Sequence, residues 1–190
     1  IVEQTQPIFI TAYHIPATTS PDYIALNAIA DILSSGRTSH LHKKLIRNEK
    51  IAVSIGAFPG YPGEKYPNLF VIYSFPAQGH TNRENEEAII VEIESLKTEL
   101  VSEDVLAKVK RNAKARFIRA LRSNRGLARQ MCTYEFIHGD WRKVFTSLHR
   151  IEELTPEDIK HVASQYFVNE NRSIAEIVSE VSPNETETGN

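Results

Sequence analysis

The sequence predicts an α+β fold, a largely antiparallel sheet with helices packed on one face. Three observations predict it. Strand-like segments occur at 7–15, 51–58, 68–75 and 173–178, and the second and third are separated only by the turn-rich Pro59-Gly60-Tyr61-Pro62-Gly63. A block of helical patterns occupies nearly everything between the third and fourth strands. The order is therefore strand, helices, two strands, several helices, strand, which is not the alternation of parallel βαβ units.

Each element has a local reason. In 7–15, Ile8, Ile10 and Ala12 alternate with Phe9, Thr11 and Tyr13, so both faces carry bulk and burial on at least one side is expected. Ser20-Pro21-Asp22 reads as a helix start with Ser20 as N-cap, and Leu26, Ile29, Ala30 and Leu33 follow as a single apolar stripe. Ser35-Gly36 ends that helix, and a short one over 38–47 puts Leu41 and Leu45 on one face. The strand at 68–75 is aromatic and β-branched and stops at Pro76.

The helical block begins with 82–100, striped by Ile89, Ile93, Leu96 and Leu100. Ser102 caps a long helix over 103–123 with Val105, Val109, Ala113, Phe117 and Leu121 inward. Gly126 breaks it before a helix that stops near Gly139, and 141–151 is a further helix. Thr155-Pro156-Glu157-Asp158 caps the last one, with Ile159, Val162, Ala163 and Tyr166 inward. One domain over 1–182 and a polar tail at 183–190 follow from this layout. The chain starts without Met on a strand-like segment, as expected of a piece of a longer protein or of a processed terminus.

Composition narrows the function. Apolar residues at 41% and charged residues at 24% are ordinary for a soluble globular domain of 190 residues, which needs no disulfide or metal staple. A net charge of −2 gives no general attraction to nucleic acid or anionic lipid. No signal peptide is expected from the first residues and no apolar run approaches a membrane span, so a soluble protein is expected, its compartment unspecified.

A self-contained active site is not expected. Neither H-x-x-E-H nor H-E-x-x-H occurs, and His40 and His42, two apart, point to different helix faces. No G-x-S-x-G is present, and Cys132 among Leu127, Met131 and Phe136 reads as a buried, inert thiol. Glu86-Glu87 and Glu152-Glu153 read as solvated helix charge. From Val105 to Tyr134 there is no acid, while Lys108, Lys110, Arg111, Lys114, Arg116, Arg119, Arg122, Arg125 and Arg129 form a basic run. That run would suit nucleic acid or an acidic partner. Neutralisation by the acidic segment 84–104 is the preferred explanation, since only Phe117 interrupts it and no stacking platform results.

Four stretches resemble the carboxy-terminal, non-zinc-binding domain of M16 (insulinase, pitrilysin and mitochondrial-processing-peptidase-like) metallopeptidases: DYIALNAIADILSSGRTSHLHKKL at 22–45, RNEKIAVSIGAF at 47–58, KYPNLFVIYSFPAQGH at 65–80 and LTPEDIKHVASQYF at 154–167. The second is similar to the family's R-E-K-x-G-L-A-Y stretch. The resemblance implies the fold of that family, often called LuxS-like, and half of a clamshell that encloses a peptide substrate. It places zinc in a separate amino-terminal domain or partner subunit and none in this chain. It also implies an arginine that holds the substrate, at Arg47, and a tyrosine seven residues later, where this chain has Ser54. Tyr61 or Tyr66 would have to replace that hydroxyl, and nothing in the spacing supports it. An inactive scaffolding or assembly domain of a processing complex is the second reading. If a partner domain normally covers this one, an exposed apolar face is expected, through which isolated copies would pair.

Overall fold

The structure, a computed structural model, describes residues 6–178; the tail 183–190 lies outside the described residues. The sheet is four-stranded and antiparallel throughout, with spatial order β2-β3-β1-β4. The strands are β1 (Ile8–Ile15), β2 (Ala52–Tyr61), β3 (Asn68–Pro76) and β4 (Arg172–Ile177). The α+β reading holds, and the first strand sits centrally, between the third and the last.

Register sorts the two faces. Phe9, Thr11, Tyr13 and Ile15 of β1 lie opposite Ser74, Ile72, Phe70 and Asn68 of β3, and all eight are buried beneath the helices. Polar members of this layer have partners: the Asn85 side-chain amide donates to Ser74 Oγ at 3.2 Å, and Arg172 Nε donates to Thr11 Oγ1 at 2.8 Å. The opposite face carries Ile10 and Ala12 of β1 with Leu69, Val71, Tyr73 and Phe75 of β3.

The helices are α1 (Tyr23–Ser34), α2 (Asn82–Thr98), α3 (Glu103–Leu121), α4 (Asn124–His138), α5 (Lys143–Glu152) and α6 (Pro156–Tyr166). Helix α1 is buried well beyond one stripe, because it packs on β2, α3 and α6 at once; Ala25, Ala28 and Ile32 are buried with Leu26, Ile29 and Leu33. Ser20 is not its N-cap. The Ser20 hydroxyl accepts from Asp22 N–H and the Ser20 carbonyl from Tyr23 N–H, a tight turn that moves the helix start to Asp22. Two caps match expectation: Ser102 accepts from Val105 N–H, and Thr155 with Asp158 forms a reciprocal capping box. Helix α2 has its own box, Thr81 with Glu84, and it ends at Thr98, which leaves Leu100 exposed.

The long basic helix leaves the core halfway. Only Leu106 and Val109 of α3 are buried, α4 has no buried residue, and α5 has only Val144. Cys132 is accordingly exposed, contrary to expectation, because α4 packs chiefly against α3 and α5 and buries none of its residues. The break between α3 and α4 is capped by Ser123, whose hydroxyl accepts from Gly126 N–H at 3.0 Å, so Gly126 lies inside the first turn of α4. A methyl group at Gly126 would overlap the Ala120 carbonyl oxygen. Gly126→Ala is expected to lower stability by about 1–3 kcal/mol by forcing this joint apart. Urea unfolding checks it, and a loss under half of the lower figure would show that the joint yields freely.

Candidate functional site

The stretch that resembles the substrate-holding pair begins in a π-helix, His42–Asn48. Its wider winding is closed by Glu49 N–H donating to the Lys44 carbonyl, five residues back, at 2.9 Å. The sequence predicts an ordinary helix here. Leu41 and Leu45 are both buried, as an i, i+4 pair would be. Lys50 then adopts φ 57°, the left-handed region unusual for a residue with a Cβ, and reverses the chain into β2. Ile51 pins the turn, its N–H donating to the Leu45 carbonyl at 2.9 Å and its carbonyl accepting from Ala77 N–H at 2.9 Å.

Arg47 occupies the last turn of the π-helix and is exposed. Among the described residues it has no ion pair, so its guanidinium keeps its full donor set. Ser54 is exposed in β2 opposite Phe75, hence on the sheet face turned away from the helices. The same face presents Phe58, 41% exposed, whose ring meets Tyr73 edge-on at 6.3 Å; Tyr73 in turn meets Phe75 at 6.0 Å. Tyr61 shares this face but pairs with Leu69, six residues along β3 from Phe75, about 20 Å away at strand rise. It therefore cannot stand in for a tyrosine at position 54, and Tyr66, 71% exposed in the loop beyond it, lies at the same distant end. The aromatic row on this face was present in the sequence as the alternation Leu69, Val71, Tyr73, Phe75. Alternation alone does not say which side the helices take.

Strand β2 lies at the edge of the sheet, its register interrupted by irregularities between Ala52 and Ser54 and between Phe58 and Tyr61. Such interruptions twist an edge locally, and between them Ser54 to Phe58 keep regular antiparallel register with β3.

No group of three or more His, Cys, Asp or Glu among the described residues is placed to hold a metal ion. His40 and His42 diverge as their spacing predicts: His40 Nδ1 lies 3.3 Å from Glu92 of α2, while His42 Nδ1 is buried without a partner. The hydrogen bond from His40, helped by Lys44, holds the Glu92 carboxyl below the usual carboxylate range.

Two charge expectations need correction. Glu86 is not solvated, since it pairs with Arg172 at 2.7 Å beneath β4. Nor do the acids of α2 neutralise the basic run of α3, because the two helices carry no ion pair to one another among the described residues. Lys114 pairs with Glu152 of α5, Arg116 with Asp31 of α1, and Lys110 donates to the Glu152 carbonyl. Arg111, Arg119, Arg122, Arg125 and Arg129 remain exposed and without ion pairs among the described residues. No helix of the described residues is long and apolar enough to cross a membrane.

Comparison with known proteins gives this geometry a family. The zinc protease PqqE of Helicobacter pylori is 28% identical over 158 residues, 82% of this chain, and the chain spans about a third (34%) of that relative's length. Among solved structures, the inactive peptidase domain of a candidate zinc protease from Bordetella parapertussis has a TM-score of 0.83 at 21% identity, covering 96% of this chain and 97% of that one. A protease from Helicobacter pylori also gives 0.83, at 22% identity, over 90% of this chain and 40% of its own. The model of the family described as the Peptidase M16 inactive domain matches residues 1–113, more than half of the sequence. From the first strand through most of α3, then, this chain is a member of the M16 peptidase inactive-domain family.

Proposed function

We propose that this chain is the non-catalytic half of a zinc-dependent M16 endopeptidase, helping to enclose a peptide substrate and position it against a separate zinc-bearing domain or subunit. The observation that carries the reading is the helix-free sheet face, where Phe58, Tyr73 and Phe75 form an apolar row near the exposed Ser54 of the edge strand, with Arg47, unpaired among the described residues, directly ahead of that strand. An extended peptide can hydrogen-bond to a strand edge while its side chains rest on such an apolar row. Arg47 can donate to a substrate carbonyl or carboxylate.

The described residues do not offer the donor set for zinc, so in this reading the metal and its activated water belong to the partner half. What this chain adds is orientation of the substrate, which lowers the barrier only when the zinc-bearing half is present. The similarity to a protease named for zinc, over a third of that protein's length, supports the same division of labour.

Ser54 favours the second reading, a scaffolding domain without substrate contact, because its hydroxyl is too short to do a tyrosine's work. Arg47→Ala separates the two. With the zinc-bearing half present, loss of one charged hydrogen bond is expected to reduce kcat/KM roughly tenfold or more. An unchanged kcat/KM would leave scaffolding as the role.

A further inference from the structure

Helices α1, α3, α4 and α5 surround an open-mouthed cavity of about 620 Å³, lined by neither Arg47 nor Ser54. That volume suits a small organic molecule. Its walls combine apolar surface from Ile24, Phe117 and Tyr134 with an excess of positive charge, four Lys and Arg side chains against the single carboxylate of Asp31. Two of the four are engaged: Arg116 pairs with Asp31, and Lys110 donates to the Glu152 carbonyl at 2.9 Å. Lys143 and Arg150, both on α5, have no carboxylate partner among the described residues; Lys143 reaches only the His138 carbonyl, at 3.3 Å. His138 lines the same cavity, and burial, then the Lys143 and Arg150 charges, hold its imidazole below the ordinary range. Two like charges thus share a partly enclosed space with a third basic side chain, that of His138. An anion placed there would relieve the repulsion.

We propose that this cavity binds a small amphipathic anion, with its apolar body against Phe117 and Tyr134 and its carboxylate or phosphate held by Lys143 and Arg150. Charge-assisted hydrogen bonds to both cations would fix the head group, and apolar burial would supply the rest of the affinity. The site is separate from the sheet face discussed above and does not depend on the peptidase reading.

The test titrates the purified full chain with 3-phenylpropionate, phenyl phosphate, inorganic phosphate and uncharged 3-phenylpropanol. Calorimetry gives affinity, and fluorescence of Trp141, the sole tryptophan, two residues before Lys143, reports local change. Saturable binding of the aromatic anions is expected, with inorganic phosphate and the alcohol weaker by roughly tenfold or more, and the preferred anion names the head group. Lys143→Gln and Arg150→Gln should each weaken that binding by about tenfold, whereas Arg122→Gln, outside the cavity, should not. Both target side chains are exposed, so the variants are expected to fold, and circular dichroism verifies it. Absence of saturable binding by either aromatic anion would overturn the proposal. So would equal binding of the alcohol, or affinity unmoved by both substitutions.

Discussion

Phe167→Ala is expected to destabilise the domain by about 3–5 kcal/mol, lowering Tm by on the order of 10 °C for a chain of this size. Phe167 caps α6 at the point where the chain turns toward β4, and it is 2% exposed. Its ring meets Tyr13 of β1 and Phe70 of β3 edge-on, each at 5.0 Å, so one side chain joins the last helix to both central strands. Truncation removes two favourable aromatic pairs as well as buried area, and the surrounding strands cannot collapse into the space without breaking register. Phe136→Ala provides the contrast. That ring is 67% exposed on α4 and stacks only beneath the Lys65 ammonium, so its loss should stay within about 0.5 kcal/mol. Equilibrium unfolding in urea measures both, and a Phe167→Ala loss below the Phe136→Ala loss would contradict the placement of the core.

Arg172→Ala is expected to cost about 2–4 kcal/mol, because it leaves charge and hydroxyl unpaired under an edge strand. Arg172 opens β4 with its side chain turned beneath the sheet, where Nη2 meets Glu86 of α2 at 2.7 Å and Nε meets Thr11 at 2.8 Å. Its side chain is 10% exposed, that of Glu86 26%, and Thr11 is fully buried. Further along, the Asn82 side-chain amide donates to the Ile177 carbonyl at 3.0 Å, so α2 grips β4 at both ends. Removing Arg172 should release the first grip, and amide exchange in β4 should accelerate far more than in β1 or β3. The double variant Arg172→Met with Glu86→Leu should recover much of the stability, since neither charge then needs a partner. Equal exchange in all strands would show that the pair does not anchor this edge.

These particulars mark what the sequence could convey. Strand-like composition and turn residues placed all four strands within a residue or three of their bounds, and cap signals placed Ser102 and Thr155, because those features depend on neighbours in the chain. Properties set by distant partners were not legible. Leu41 and Leu45 would be buried together in either an α- or a π-wound helix, and nothing local announces Lys50 at φ 57°. Glu86 looks like any helix carboxylate until β4 returns above it with Arg172. Cys132 and the apolar stripe of α3 look internal only while α4 and α5 are assumed to pack on the core. As for the candidate site, Arg47 and position 54 were legible through resemblance. The placement of Ser54 on the helix-free face, and the distance that excludes Tyr61, depend on a register with two irregularities and had to come from the fold.

On the proposed reading, this chain supplies half of a peptidase and no catalytic centre of its own. Zinc content and peptide cleavage of the purified chain, alone and mixed with its zinc-bearing half, test it most directly. The chain alone should hold no stoichiometric zinc and cleave no peptide, with cleavage appearing on mixing. Stoichiometric zinc or peptide cleavage by the chain alone would contradict it.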